Sequence, residues 1–541
     1  MLSGESGVIP DCIPFSSIPH TTKLFSDFLS YAPEVRKFFP NPPDASQVAE
    51  RSATVPHGTE INVKVADVLE KQNRAWGASE KTLDNIRRLR GGAFAVVTGQ
   101  QVGLFGGPLL SLFKAASVLA LAKQVESAGV PCVPIFWMAT EDHDLAEVNQ
   151  ALLLSNDFQL VPFAASTDGK PDSPVANVRL AEGTNKLVAQ AAEVLGESLA
   201  ADYLRESYRE GETLSGAYAK LFTRLFTEHG LIVLDPADAE LHRIATPLFV
   251  EAIERAGELD KALLERNREI SKVGYHEQVK VTEESTPLFA LVDGARVPIH
   301  RSNGEFAIRK ERVSLDELKR RIVATPENFN ANVLLRPVLQ DYWLPTLAYI
   351  GGPAEIAYFA QVGVVYERLL GRVTTVLPRM SATLLEPRVE RLLAKYGLDL
   401  PELFQGETQL RDSLAARSLP PELTLDFERG RLAVEEAMQR ISESLQKLDS
   451  TLVEAARRAA NKMRHQVGRL EKRAAQAELR RNEILTRHAT QIENALYPHR
   501  ILQEREIAGL YFFAKYGPEL IERLVETAQA RCPEHKVVRL G

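Results

Sequence analysis

Residues 96–115 read VVTGQQVGLFGGPLLSLFKA. An apolar run enters a loop with glycine at 99, 103, 106 and 107, then leaves it as a helical pattern. Positions without a side chain let a ligand or another backbone approach closely. Neither familiar phosphate-binding spacing is present: the glycines do not form G-x-G-x-x-G, and no G-x-x-x-x-G-K-[ST] occurs. The loop reads as a cradle of another kind for an anion or polar ligand. In that reading the backbone around Thr98, Gly99, Gly106 and Gly107 faces a carboxylate or phosphate. Gln100 and Gln101 add side-chain hydrogen bonds, and Lys114, two turns into the helix, adds charge. Close strand–helix packing is the alternative use of the same glycines.

Outward from this stretch, AFAVV (93–97) predicts a buried strand and LLSLFKAASVLALAKQVESAG (109–129) a helix stopping at Gly129. CVPIFWM (132–138) predicts a second strand. Strand, helix and strand in that order make a βαβ unit with a parallel pair. Ligands of such sheets collect at the carboxyl ends of the strands. The glycine loop follows the first strand, and TEDHD (140–144) follows the second. Glu141, Asp142 and His143 are therefore candidates for acid/base work, with one acid of the group free to cap the next helix.

Further along, GLIVLDPAD (230–238) predicts a strand and a turn leading into a helix over about 237–268. Residues 279–310 read as antiparallel β, with VDGA and SNGE as hairpin turns. LRPVLQDYWLPTLAYIGGPAEIAYFAQ (335–361) brings Arg336, Gln340 and Asp341, then a second Gly-Gly-Pro helix start with Gly352, Glu355 and Tyr358. These are candidate substrate contacts. PRMSATLLEP (378–387) places a basic residue and hydroxyls at a strand end.

The chain has 541 residues, too many for one growing core, so more than one structural unit is expected. A net charge of −7 argues against nucleic acid as a partner. The apolar run SVLALA is too short to span a bilayer, so no membrane partner is expected. The start MLSGESGVIPDCIPF lacks the basic and apolar regions of a signal peptide. Three cysteines with no C-x-x-C pair fit a reducing cytoplasm, and Cys132 reads as strand core. No metal is expected.

Beyond about 385 the pattern becomes helical. From Glu428 to about Leu496 there is no proline. Ile441, Leu445, Leu448, Leu452, Ala455 and Ala459 form a heptad seam that resumes at Met463, Val467, Leu470, Ala474 and Ala477. Read as one helix, this segment would extend roughly 100 Å and must pack on another helix or another chain. YPHRILQER (497–505) begins the return to the globular body.

TGQQVGLFGGPLLSLFKA, VPIFWMATEDHDLAEVNQ, LRPVLQDYWLPTLAYIGGPAEIAYFAQ and YPHRILQER together resemble the bacillithiol biosynthesis cysteine-adding enzymes, a family of cysteine ligases. The resemblance covers essentially the whole chain. It implies an α/β, Rossmann-like core similar to nucleotidylyl transferases, with connecting-peptide insertions, and a long α-helical antiparallel coiled-coil domain that pairs two subunits. The implied divisions are 1–385 for the core, with insertions at about 150–225 and 270–335, then 386–500 for the coiled coil and 501–541 returning to the core. The implied reaction is the last step of bacillithiol biosynthesis, adding cysteine to the amine of glucosaminyl-malate. A pocket for ATP or ADP is implied near the coiled-coil junction, with Ser381, Thr383, Leu385, Glu386, Gln491 and Arg505 as its candidates. Class I synthetases activate acids with H-x-G-H and K-M-S-K-S loops. Here the first turn is G-L-F-G-G-P, and RMSAT (379–383) is only distantly similar to the second. An ATP-dependent amino-acid activator and a nucleotide-binding coiled-coil scaffold are the competing classes.

Overall fold

In the computed structural model, the described residues are 12–404, 407–417, 419–529 and 532–541. Most of the N-terminal stretch read as lacking a signal peptide lies outside them. Five parallel strands form the central sheet: β1 (Phe94–Gln100), β2 (Cys132–Met138), β3 (Ile232–Leu234), β4 (Thr346–Gly351) and β5 (Thr375–Pro378). Their spatial order is β5-β4-β1-β2-β3. The chain winds outward from β1 in one direction, then returns to its other side with β4. The point of reversal between β1 and β4 is where a doubly wound sheet opens a ligand crevice.

β2 is buried along its whole length, as befits a parallel strand covered on both faces. The helix between β1 and β2, α1 (Leu110–Ser127), is buried almost all round and ends just before Gly129 at φ +86°. The expected hairpins are present. Leu288–Val292, Ala295–Ser302, Glu305–Ile308 and Glu311–Val313 run antiparallel, with Asp293-Gly294 and Asn303-Gly304 turning at positive φ. The expected helix over 237–268 is two helices instead, Ala239–Glu254 and Ala256–Lys272, meeting at Arg255.

Two more helices position the site. α2 (Arg336–Trp343) precedes β4, and α3 (Pro353–Leu370) follows it. Pro353 opens α3, and the Glu355 carboxylate accepts from the Gly352 amide at 2.7 Å.

The helical region corrects the reading of one continuous helix. It is broken into α4 (Pro421–Leu448), α5 (Leu452–Arg481) and α6 (Glu483–Leu496). Asp449 accepts from the Thr451 amide at 2.8 Å and turns the chain, so α4 and α5 fold back on each other as an antiparallel pair. Arg431 pairs with Glu471 across that hairpin. The heptad seam crosses the turn, yet Ile441, Leu448, Met463 and Leu470 stay exposed. A short helix, α7 (Gln503–Glu506), then brings the chain back to the core.

The two ends meet in a small sheet, where Cys12–Ile13 pairs with His535–Arg539 and that strand pairs with Ala382–Leu385. Cys12 and Cys532 are joined by a disulfide, which runs against the reading of the three cysteines as those of a reducing compartment; a sequence separation of 520 hides the pairing from any spacing rule. Cys132 is buried in β2, where the sequence placed it. Among the described residues no helix is long and apolar enough to cross a membrane.

Candidate active site

A cavity of about 650 Å³ opens at the carboxyl edge of the sheet, with lining residues at or just after the ends of all five strands. Gly99 and Gln100 come from β1, Trp137 and then Glu141 and Asp142 from β2, and Pro236 follows β3. Tyr349 and Gly352 come from β4, and Arg379 follows β5. The glycine segment and the acidic cluster therefore open into one space. A Cβ at Gly99 would sit 3.3 Å from the Tyr349 hydroxyl, so the absent side chain lets β1 and β4 meet at the crevice.

One wall carries positive charge. Arg336 reaches out from the start of α2, its guanidinium 5.7 Å from the Trp137 ring and 5.4 Å from the Tyr349 ring. It donates to the Tyr358 hydroxyl at 3.1 Å. Among the described residues it forms no ion pair with a carboxylate, which leaves its charge for a ligand. Lys114 is committed: its ammonium lies 2.5 Å from Glu355. Burial pushes Lys114 down and Glu355 up, and the Lys114 charge outweighs burial at Glu355, holding that carboxyl below the usual range. The Tyr349 hydroxyl donates to the other Glu355 oxygen at 2.5 Å. Arg379 reaches Glu504 of α7 at 2.6 Å, and its neighbour Arg505 lines the cavity from the same short helix.

The opposite wall is acidic. Asp142 accepts from Gln101 at 3.2 Å and from the His143 amide at 2.8 Å, with Arg296 3.9 Å away. Glu141 also reaches the cavity but is held by His242 at 2.9 Å and by Asn330, which donates at 2.6 Å. Burial raises Glu141, and His242 and Asn330 outweigh it, so the carboxyl stays below its ordinary range. Burial lowers His242, and Glu141 outweighs it and raises the imidazole. His242 donates through Nδ1 to the Pro326 carbonyl at 3.2 Å, and its Nε2 lies 2.9 Å from Glu141, an approach that favours the protonated imidazole. Glu141 and His242 form a fixed pair, while Asp142, with His143 3.5 Å away, and Glu147, which shares the Gln101 amide, are the carboxylates of this wall nearest to an incoming ligand.

Several expected contacts lie elsewhere. His143 flanks Asp142 outside the cavity lining, and Asp144 caps the short helix after it, accepting from Glu147 at 3.2 Å. Gly106 and Gly107 are not part of the wall. The Gly106 amide donates to Tyr208, and a Cβ at Gly103 would sit 2.7 Å from the Gly107 Cα; Gly103 and Gly107 thus answer to backbone crowding, and Gly106 to its positive φ of 88°. Thr98 staples β1 to β4 through the Ile350 carbonyl at 2.8 Å. Gln340 and Asp341 are buried behind the cavity; Gln340 donates to Asp341 at 3.0 Å, and Asp341 meets Arg372 and Thr374.

Of the nucleotide candidates, Ser381 donates to Glu504 at 3.0 Å, and Ser381 and Thr383 both contact His535 at 2.8 Å. Leu385 accepts from the Leu540 amide, Glu386 from Tyr511 and Lys515, and Gln491 donates to the Asp157 carbonyl. All five sit in packed contacts, and Arg505 lines the main cavity. A separate cavity of about 340 Å³ lies at the same junction, lined by Arg411, Asn494, Tyr497, His499 and Arg500 among others. His242, Asn330, Arg296 and Tyr349 were missed in the sequence, because each is isolated there and meets its partners only through the fold.

This is an α/β protein of Rossmann-like type, with a polar crevice at its switch point and a coiled coil appended. The family model described as "Bacillithiol biosynthesis BshC, N-terminal Rossmann-like domain" matches residues 11–380, and "Bacillithiol biosynthesis BshC, C-terminal coiled-coil domain" matches 382–540. The chain is 52% identical over 533 residues to "Putative cysteine ligase BshC" of Koribacter versatilis, covering 98% of this chain and all of that one. It is 36% identical over 532 residues to the protein of the same name from Solibacter usitatus, covering 97% and 99% of the two chains. The chain belongs to the BshC family of bacillithiol-biosynthesis cysteine ligases.

Proposed function

We propose that the chain carries out the last step of bacillithiol biosynthesis, joining the carbonyl carbon of cysteine to the amine of glucosaminyl-malate in the carboxyl-edge cavity. What supports this reading is the division of the cavity between an unpaired guanidinium at Arg336 and an open carboxylate at Asp142. A malate carrying two carboxylates suits the first, because an arginine fork takes a carboxylate bidentately. Arg505 adds a second cation on the same side. An ammonium suits the second. The ammonium must lose a proton to free its lone pair, and Asp142 accepts that proton before the amine attacks the carbonyl carbon. Glu141, held by His242 and Asn330, sets the position of the loop that carries Asp142. Gln101 orients the Asp142 carboxylate.

A nucleotide, ATP or ADP, belongs in this reading at the junction cavity. Tyr497 offers a ring, His499 an imidazole, and Arg500 and Arg411 bring positive charge, Arg411 sharing its own with Glu493 at 2.9 Å. ATP would supply the phosphoryl or adenylyl group that, bonded to the cysteine carboxyl oxygen, departs with that oxygen as the carbon–oxygen bond breaks and the carbon–nitrogen bond forms. Two subunits pair through the exposed seam of α4 and α5, where Ile441 is 48% and Leu470 60% exposed. A cytoplasmic setting is part of this reading, with the Cys12–Cys532 disulfide an exception to the reduced state of thiols there. The test is bacillithiol in a deletion strain carrying variants of this chain. Asp142→Asn should fail to restore the thiol while His143→Ala restores it; restoration by both removes the acidic loop from the chemistry.

A further inference from the structure

The opposite, amino-terminal edge of the sheet holds a cavity of about 340 Å³. That is near the lower end of small-molecule pockets, which run from about 300 to 1,000 Å³. Its wall combines the start of β4 (Thr346), the start of β5 (Thr375), the turn after α3 (Arg372) and the N-terminal segment (Asn41 and Arg51).

Two polar groups there lack partners among the described residues. Arg51 Nε is buried without a hydrogen bond, and so is the Thr375 hydroxyl, on a residue only 3% exposed. A buried donor left unsatisfied costs about 1–3 kcal/mol; both atoms are closed off from the cavity as it stands, so an acceptor entering beside these two lining residues reaches them with a small shift of the wall and removes that cost. Arg372 is held in place: its guanidinium reaches the Asp341 carboxylate at 3.3 Å and the Asp341 carbonyl at 3.1 Å. Thr374 donates to the same carboxylate. Glu367 also reaches the lining, but from an exposed position where its charge acts on Arg266. Asp341, which the sequence offered as a substrate contact, therefore serves this edge by fixing Arg372.

We infer that the amino-edge cavity is a second ligand site, independent of the carboxyl-edge chemistry, that takes the phosphate group of inorganic phosphate or of a small phosphate ester. Phosphate brings oxygens on every side, enough to accept from the Arg51 guanidinium and the Thr375 hydroxyl together, while Arg372, its charge shared with Asp341, shapes the wall beside them. The space exceeds what a bare phosphate fills, leaving room for an attached organic group.

The test is calorimetric titration of the full chain with inorganic phosphate and, separately, with glucose 6-phosphate. Saturable binding should weaken about tenfold or more in Arg51→Gln, an exchange that removes the charge–phosphate contact. It should weaken less in Thr375→Val and stay within about twofold of the parent in Arg336→Gln, which alters only the main cavity. Circular dichroism establishes that each variant folds, and Thr375→Val carries the test if Arg51→Gln does not fold. Tighter binding of glucose 6-phosphate marks an ester as the occupant, and equal binding marks free phosphate. Absence of saturable binding of both, unchanged binding in Arg51→Gln and Thr375→Val, or loss in Arg336→Gln alone would overturn the proposal.

Discussion

Lys114 Nζ lies 2.5 Å from Glu355 Oε2, and this pair ties the helix after β1 to the helix after β4 across the switch point of the sheet. Breaking one side of a buried pair strands the other charge. Glu355→Gln should therefore lower stability by about 3–5 kcal/mol in urea unfolding. The double variant Lys114→Met/Glu355→Gln should recover much of that loss. Equal destabilisation by the single and double variants would mean that packing, not the stranded ammonium, dominates.

Asp142 and His143 are adjacent in the chain but only Asp142 lines the cavity. Asp142→Asn should reduce kcat by about 10²–10⁴-fold, the range for a general base. His143→Ala should leave kcat within a few-fold of the parent. Steady-state rates of bacillithiol formation separate the two.

Arg336 faces the cavity with its charge unpaired. Arg336→Lys keeps the charge and loses the fork, so KM for glucosaminyl-malate should rise about 10–100-fold, from charge-assisted bonds worth about 1.5–3 kcal/mol. KM for cysteine should change little. A uniform fall in kcat with no change in either KM would place Arg336 in the chemistry rather than in binding.

The βαβ unit and its two loops were legible in the sequence because apolar runs and glycines are local signals. Adjacency of those loops followed from one rule about parallel sheets. The role of Gly106 and Gly107 was not legible, since backbone crowding, a positive φ and ligand approach demand the same residue. Asp341 looked like a ligand contact beside Arg336, but a helix turns neighbours onto different sides, and α2 sends Arg336 to the cavity and Asp341 behind it. The break at Asp449 was hidden because the heptad seam runs through the hairpin turn without interruption. His242 and Asn330 gave no sign at all, being brought to Glu141 from segments far away in the chain.

His535 lies buried between Ser381 and Thr383, with Glu504 and Arg379 facing it. Burial pushes its imidazole from 6.5 to about 4, against the pull of Glu504. The unfolded chain then binds the proton more readily, so this contribution to stability is present above pH 6.5 and is lost as pH falls toward 4. Between pH 7 and 5 the loss should be about 2 kcal/mol, at 1.36 kcal/mol per unit. His535→Gln should flatten the urea-unfolding profile over that interval. A profile as steep as the parent's would assign the acid sensitivity to another group.

The exposed stripe on α4 and α5 should join two copies of the chain. Ile441→Glu/Leu470→Glu places charge on that stripe and should give a monomer by light scattering. A dimer of unchanged mass would put the interface elsewhere.

The most direct measurement is a crystal structure of the protein soaked with glucosaminyl-malate. The malate carboxylates should lie against Arg336, with the glucosamine nitrogen within hydrogen-bond reach of Asp142. Density for the sugar in the coiled-coil junction cavity or at the amino edge, with the carboxyl-edge crevice empty, would contradict the account.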